Sequence, residues 1–258
     1  MDIEPTLGSP STGIIITGGA SGLGLASAEA LAAVGRSVAL WDLDGEKASS
    51  AAKTLAERYG VAAHGQAVDV RDPDALVAGA AEARRELPTI GGLLHAAGTT
   101  AIGSIDVVTA ESWDAGINVH TRPLALLTKE LLPDLKAQRG SAIVAISSIN
   151  ATLGNAANPI YSAAKGAILS LVRSLADQLA PDGIRINSVS PGQIHTPLLQ
   201  PSIDDLPEGT YERRILLSRL GQPQEIGRVV RFLLSDEASY ITAAEIVVDG
   251  GNISSQRM

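Results

Sequence analysis

The chain has no cysteine, which excludes disulfides, thiolate metal centres and cysteine nucleophiles. Aromatic residues are scarce as well, at 3% with one Phe and two Trp, although 45% of the residues are hydrophobic. The core must therefore come from Ala, Val, Ile and Leu, a composition suited to helices packed closely on a parallel sheet. Long apolar runs are missing: no stretch reaches the roughly 20 residues a membrane-spanning helix needs. Residues 1–10 are polar and acidic and have no basic start followed by an apolar run, so they do not read as a secretory signal, and a cytoplasmic location is the expectation. Basic stripes are lacking too, and the formal charge of −8 repels phosphodiester backbones, so neither nucleic acid nor membrane is an expected partner.

What the sequence does contain is alternation. Strand-length apolar runs at 13–17, 37–42, 61–70, 91–97, 141–147, 184–189 and 244–249 are separated by helical patterns at 23–34, about 43–59, 73–86, 111–138, 159–179 and 223–234. Seven strands with helical crossovers predict a doubly wound α/β parallel sheet covered on both faces. A length of 258 residues suits one domain with no linker. Prolines, acids and Gly209 interrupt any period over 197–219, which is the expected lid.

Directly after the first strand run comes Thr17-Gly18-Gly19-Ala20-Ser21-Gly22-Leu23-Gly24, opening a helix. Glycines there allow a tight turn and close approach of backbone to a pyrophosphate, whose charge is attracted by the helix's free N–H groups. In this strand-to-helix context Gly18, Ser21, Gly22, Leu23 and Gly24 are candidate dinucleotide contacts, and the sheet is read as Rossmann-type. Asp42 closes the second strand, where a carboxylate accepts hydrogen bonds from adenosine ribose hydroxyls and repels a 2′-phosphate. Neither Ser21 nor Leu43 supplies a positive charge for such a phosphate, so NAD is expected rather than NADP. Asp69 and Val70 close the third strand near the expected adenine edge, with capping of the following turn as the other reading of Asp69.

Tyr161 and Lys165 stand four apart, on one face of a helix. An ammonium there is expected to lower the phenol's pKa toward the range useful for general acid/base work. Ser148 or its neighbour Ser147 ends a central strand, at the edge where open α/β sheets place ligands, and its hydroxyl can hold a substrate oxygen.

These residues resemble the short-chain dehydrogenase/reductase family over nearly the whole chain. Residues 17–24 are similar to its TGxxxGxG, Asn118 to its helix Asn, Ser148 to its Ser and Tyr161 with Lys165 to its YxxxK. The resemblance implies an enzyme moving a hydride between NAD and a secondary alcohol or ketone. Tyr161 would be general acid/base, Lys165 would lower its pKa and bind the nicotinamide ribose, Ser148 would position substrate, and Asn118 would hold a relay water. It further implies cofactor contacts at Ala97, Gly98, Pro191, Gly192, Ile194 and Thr196, no metal, and a homotetramer. Asn150, Asn155 and Gln193 would border the substrate. One departure stands out: the family's NNAG is His95-Ala96-Ala97-Gly98 here, which should remove hydrogen bonds bracing the central strand. His95 and His195 have structural readings, as a strand-end substitute for an amide and as an outward side chain, and His64 and His120 lack the company a metal needs. A catalytically silent cofactor-binding scaffold is the rival function, because folds do not dictate function.

Overall fold

The computed structural model describes residues 6–100 and 103–254. Seven strands form one parallel sheet in the order β3-β2-β1-β4-β5-β6-β7. They are β1 (Gly13–Thr17), β2 (Val38–Asp42), β3 (Ala63–Ala67), β4 (Ile90–His95), β5 (Ala142–Ile146), β6 (Arg185–Pro191) and β7 (Glu245–Val248). The helices between them are α1 (Gly22–Ala32), α2 (Gly45–Tyr59), α3 (Pro73–Glu86), α4 (Ala110–His120), α5 (Arg122–Ala137), α6 (Asn150–Leu153), α7 (Pro159–Leu179), α8 (Gln200–Asp204) and α9 (Pro223–Leu233).

Alternation of side chains along a strand divides the core into two layers. Ile14 and Ile16 point into one layer with Leu31 of α1 and Val230 of α9. Ile15 points into the other with Leu127 of α5 and Ile168 of α7. Every residue of β1, β4, β5 and β6 is buried, as expected of strands covered on both faces. The order of strands reverses between β1 and β4, and the loops that leave these two strands therefore diverge into a crevice at their carboxyl ends, the place such sheets reserve for ligands.

Two elements differ from expectation. The single long helix anticipated over 111–138 is broken: α4 ends at His120, Thr121 takes φ −107°, and α5 begins again at Arg122. Pro123 explains the break, since it lacks the N–H that would continue the helical ladder. Thr121 uses its hydroxyl instead to donate to the Ala164 carbonyl of α7, 3.1 Å away, which ties the break to the helix carrying Tyr161. The expected lid, 197–219, holds the short helix α8 and a 3-10 turn at Glu212–Arg214. Its last residues are anchored, with Ile215 buried and the Leu217 amide donating to the Gly250 carbonyl at 3.1 Å.

Candidate active site

The loop from β1 to α1 is shaped by three glycines. Gly18 adopts φ +65° and lies so close to β4's exit that a Cβ would stand 2.9 Å from the Ala97 Cα. Gly22 takes φ +52°, and a Cβ on Gly24 would stand 2.1 Å from the Gly18 carbonyl oxygen. Ser21 is the N-cap of α1, but its side chain makes no capping bond and the first turn carries no acid. The positive end of α1 thus faces the crevice without a protein anion to neutralise it, and a pyrophosphate fits that cradle. Leu23, the residue between Gly22 and Gly24, is half-buried and packs on the core.

Asp42 ends β2, with one carboxylate oxygen accepting from the Ala20 amide at 3.0 Å. Its remaining lone pairs can accept ribose hydroxyls. Leu43 beside it is 67% exposed and brings no charge. Asp69 is engaged by Arg71 in a paired contact, its oxygens 2.6 to 3.1 Å from the guanidinium, and also caps the Arg71 amide at 2.9 Å. Hydrogen bonds from Arg71 hold that carboxyl below its ordinary pKa. The turn-capping reading of Asp69 therefore matches its geometry, whereas its neighbour Val70 is buried in the core.

On the other side of the crevice, β6 ends at the buried Pro191, and a Cβ on Gly192 would stand 2.8 Å from the Asp249 Cα. Ile194 is buried and bridges Gly221, which fixes the following Thr196. The Thr196 methyl comes within 3.8 Å of where a Gly22 Cβ would be, so the two loops face each other across the crevice. A cleft of about 490 Å³ opens beside Thr196, lined also by His195, Pro197, Gln200, Pro201 and Asp204. Tyr161 does not line this cleft, which lies on the expected lid.

The Asn158-Pro159 pair starts α7: Asn158 accepts from the Tyr161 amide at 3.2 Å, and Pro159 fits the first turn. Tyr161 and Lys165 then share one face. The Lys165 ammonium lies 5.5 Å from the centre of the Tyr161 ring and donates to the Ile146 carbonyl at 2.8 Å. Complete burial lowers Lys165 from 10.5 to about 7. Burial raises Tyr161 above its ordinary value, an effect opposed by a hydrogen bond with Ser148. The lowering of the phenol expected from Lys165 thus meets an opposing effect, since burial raises Tyr161 while the ammonium donates a hydrogen bond to a carbonyl of β5. Ser147 is turned away, donating to the Lys165 carbonyl at 2.9 Å. Ser148 is the serine that meets the phenol, and its oxygen also accepts from the Asn150 amide at 3.1 Å. Asn118 sits half-buried two residues before the end of α4.

The departure at 95–98 is resolved by His95 itself. Its Nε2 lies 2.9 Å from the His120 carbonyl, which can only accept, so Nε2 carries the proton. Nδ1 then accepts from the Thr17 hydroxyl at 2.9 Å, and that oxygen accepts from the Ala96 and Ala97 amides at 3.2 Å. Burial keeps His95 neutral, with its pKa lowered to about 4. The loss of bracing bonds expected from the missing Asn pair does not occur, because the imidazole joins β1, β4 and the end of α4.

His120 also belongs here, although its sequence context did not mark it. The available signal was Pro123 three residues later, which announces the helix break. Its Nε2 lies 2.8 Å from the Thr99 carbonyl, and its ring meets Tyr161 edge-to-face at 5.4 Å. His195 is exposed, and Gln193 is held by Asn252 at 3.2 Å. Asn150 opens α6 and Asn155 caps the Ala157 amide at 3.0 Å in the turn that follows it. Among the described residues no group of three His, Asp or Glu is placed to hold a metal, and no helix is long and apolar enough to cross a membrane.

Comparison with known proteins is consistent with this layout. A family model described as enoyl-(acyl carrier protein) reductase matches residues 18–252. The chain is 34% identical to a probable galactose dehydrogenase of Rhizobium meliloti, covering 93% of this chain and 94% of that one. It is 33% identical to a 3-oxoacyl-[acyl-carrier-protein] reductase of Aquifex aeolicus, covering 92% and 95%. The structure superposes on L-sorbose reductase from Gluconobacter frateurii, solved with NADPH and L-sorbose, with a TM-score of 0.91 at 28% identity, covering 97% of this chain and 99% of that one.

Proposed function

This chain belongs to the short-chain dehydrogenase/reductase family, oxidoreductases acting on CH–OH groups, and from that premise we propose that it moves a hydride between NAD(H) and a secondary alcohol or ketone. The observation that carries the proposal is the meeting of Ser148, Tyr161 and Lys165 at the carboxyl edge of the sheet. The bound nicotinamide ring supplies the hydride acceptor or donor, and its positive charge when oxidised favours the phenolate. Gly18, Ser21, Gly22, Leu23 and Gly24 would cradle the pyrophosphate, Asp42 and Leu43 the adenosine ribose, and Asp69, while still capping the turn at Arg71, would with the Val70 backbone edge the adenine. Ala97, Gly98, Pro191, Gly192, Ile194 and Thr196 would line the path to the nicotinamide.

Ser148 donates to or accepts from the substrate oxygen and holds it against the phenol. Tyr161 takes the alcohol proton at its oxygen in oxidation and returns it in reduction. Lys165, at about 7, is partly protonated at neutrality, so it can both stabilise the phenolate and pass the proton on. Asn118 would hold a water at the end of that path. Preference for NAD rests on the carboxylate of Asp42 and the uncharged Ser21 and Leu43 near it. We extend the proposal to one domain with a lid over about 197–219, and to a cytoplasmic homotetramer. Sedimentation of the purified chain tests the tetramer.

Turnover with NAD or NADH across secondary alcohols, sugars, cyclic ketones and 3-oxoacyl thioesters, read at the nicotinamide absorbance, tests the reaction. Stereospecific turnover on some member is the expected result. Tight NADH binding with no turnover on any of them would mark a scaffold instead.

A further inference from the structure

His120 has no part in the chemistry just described, yet it is 2% exposed and stands between three parts of the site. It ends α4, which Pro123 stops from running on into α5. Its Nε2 donates to the Thr99 carbonyl at 2.8 Å. The Thr99 amide lies farther from the same nitrogen, at 3.4 Å, and the shorter contact with an acceptor-only carbonyl fixes the proton there. Gly98 lies flat against the ring: a Cβ at that position would stand 2.6 Å from Cε1 and 2.9 Å from Nδ1. The other contact is with Tyr161, edge-to-face, ring centres 5.4 Å apart and planes at 86°.

Stability does not account for an imidazole in this place. Among the described residues Nδ1 is buried without a hydrogen-bond partner, a destabilising condition that an apolar side chain would avoid. The ring does not titrate near neutrality either, because burial, with the charge of Lys165 second, lowers it to about 3. The charged or titratable groups facing it are Lys165 and Tyr161 from α7 and His95 from β4. What remains is a neutral ring with one donor and one flat surface, each directed at a different part of the site.

We infer that His120 is a positioning residue, whose Nε2–H fixes the loop at Gly98-Thr99 while its ring fixes the orientation of the Tyr161 phenol, so that this loop and the proton-transferring group are held in register. The inference rests on the reaction proposed above. Thr99 lies four residues after the end of β4, and the ring whose Nε2 meets its carbonyl also meets Tyr161, so one side chain joins that loop to the phenol. Displacement of either partner by about an ångström is costly on the scale of positioning effects, which reach roughly a hundredfold in rate.

The two contacts separate by substitution. His120→Gln retains a donor at the position of Nε2 and loses the ring, so KM should stay near that of the parent while kcat falls roughly tenfold or more. His120→Phe retains a ring against Tyr161 and loses the donor, so KM should rise roughly tenfold, the scale of one lost hydrogen bond, with kcat largely kept. Two readouts need no turnover. The ultraviolet titration of Tyr161, isolated by difference against Tyr161→Phe, should shift in His120→Gln and not in His120→Phe, and amide exchange at Gly98 and Thr99 should quicken in His120→Phe and not in His120→Gln. If the larger ring prevents folding, His120→Leu removes both contacts and should move both readouts. Gln and Phe variants that shift the same readout as each other, a Leu variant that moves neither, or variants that lower only the melting temperature would overturn the inference. Failure of the wild type to turn over any substrate would instead overturn the proposed reaction, leaving the titration and exchange results to judge His120.

Discussion

Asp42 shows what a single residue decides. Its carboxylate closes β2 and receives the Ala20 amide, so it is both a brace for the glycine loop and the expected partner of the adenosine ribose. Asp42→Ser should keep a hydrogen-bonding group, remove the charge that repels a 2′-phosphate, and narrow the preference for NADH over NADPH by roughly tenfold or more. Fluorescence titration of both cofactors against both proteins checks this, and an unchanged ratio would show that selectivity lies elsewhere. At this scale the Tyr161–Lys165 spacing and the glycine run were legible in the sequence, because each is a pattern contained within one helical turn or one loop. The electrostatics were not legible, since the burial that raises Tyr161 and lowers Lys165 is set by the folded molecule and not by neighbours in sequence. His95 and His120 were underestimated for a related reason. Their partners Thr17 and Thr99 lie 78 and 21 residues away, beyond any local pattern.

At the scale of elements, α1 is the test case for anion binding. Its N-cap Ser21 makes no side-chain bond and no acid lies in its first turn, so the helix end is open toward the crevice. Ser21→Asp should cap that end and stabilise the free protein by about 0.3–1 kcal/mol at low salt. The same carboxylate should repel the pyrophosphate and weaken NADH binding at least about tenfold. Thermal unfolding and cofactor titration of one variant thus read opposite signs, and a variant that binds NADH as well as the parent would contradict the pyrophosphate assignment. The order and type of elements followed from apolar periodicity, which reports burial on each face of a strand or helix. Boundaries set by long-range contacts did not: the break at Thr121 depends on Pro123 and on the Ala164 carbonyl of another helix, and the segment after β6 gained α8 where prolines suggested only a loop.

For the whole molecule, the buried bases make stability depend on pH. His95 and His120 have pKa values of about 4 and about 3 when folded, against 6.5 when exposed. The unfolded chain therefore binds more protons than the folded one below the ordinary histidine range, and stability falls as pH falls from 6.5 toward those values. Melting temperature should drop between about pH 7 and about pH 5, before most carboxylates titrate, and His95→Asn should flatten part of that drop by substituting an amide that does not titrate. Calorimetry over that range checks the claim, and parallel curves for the two proteins would contradict it. Lys165 adds the same sign at higher pH, since its folded value of about 7 lies below 10.5 and stability should still rise between them. All of this burial serves one arrangement at the carboxyl edge of the sheet, and the most direct measurement of it compares Tyr161→Phe with the parent on a substrate that turns over. Removing only the phenolic oxygen should lower kcat at least about a hundredfold while NADH binding is unchanged. Turnover within a fewfold of the parent would show that the proton moves through some other group.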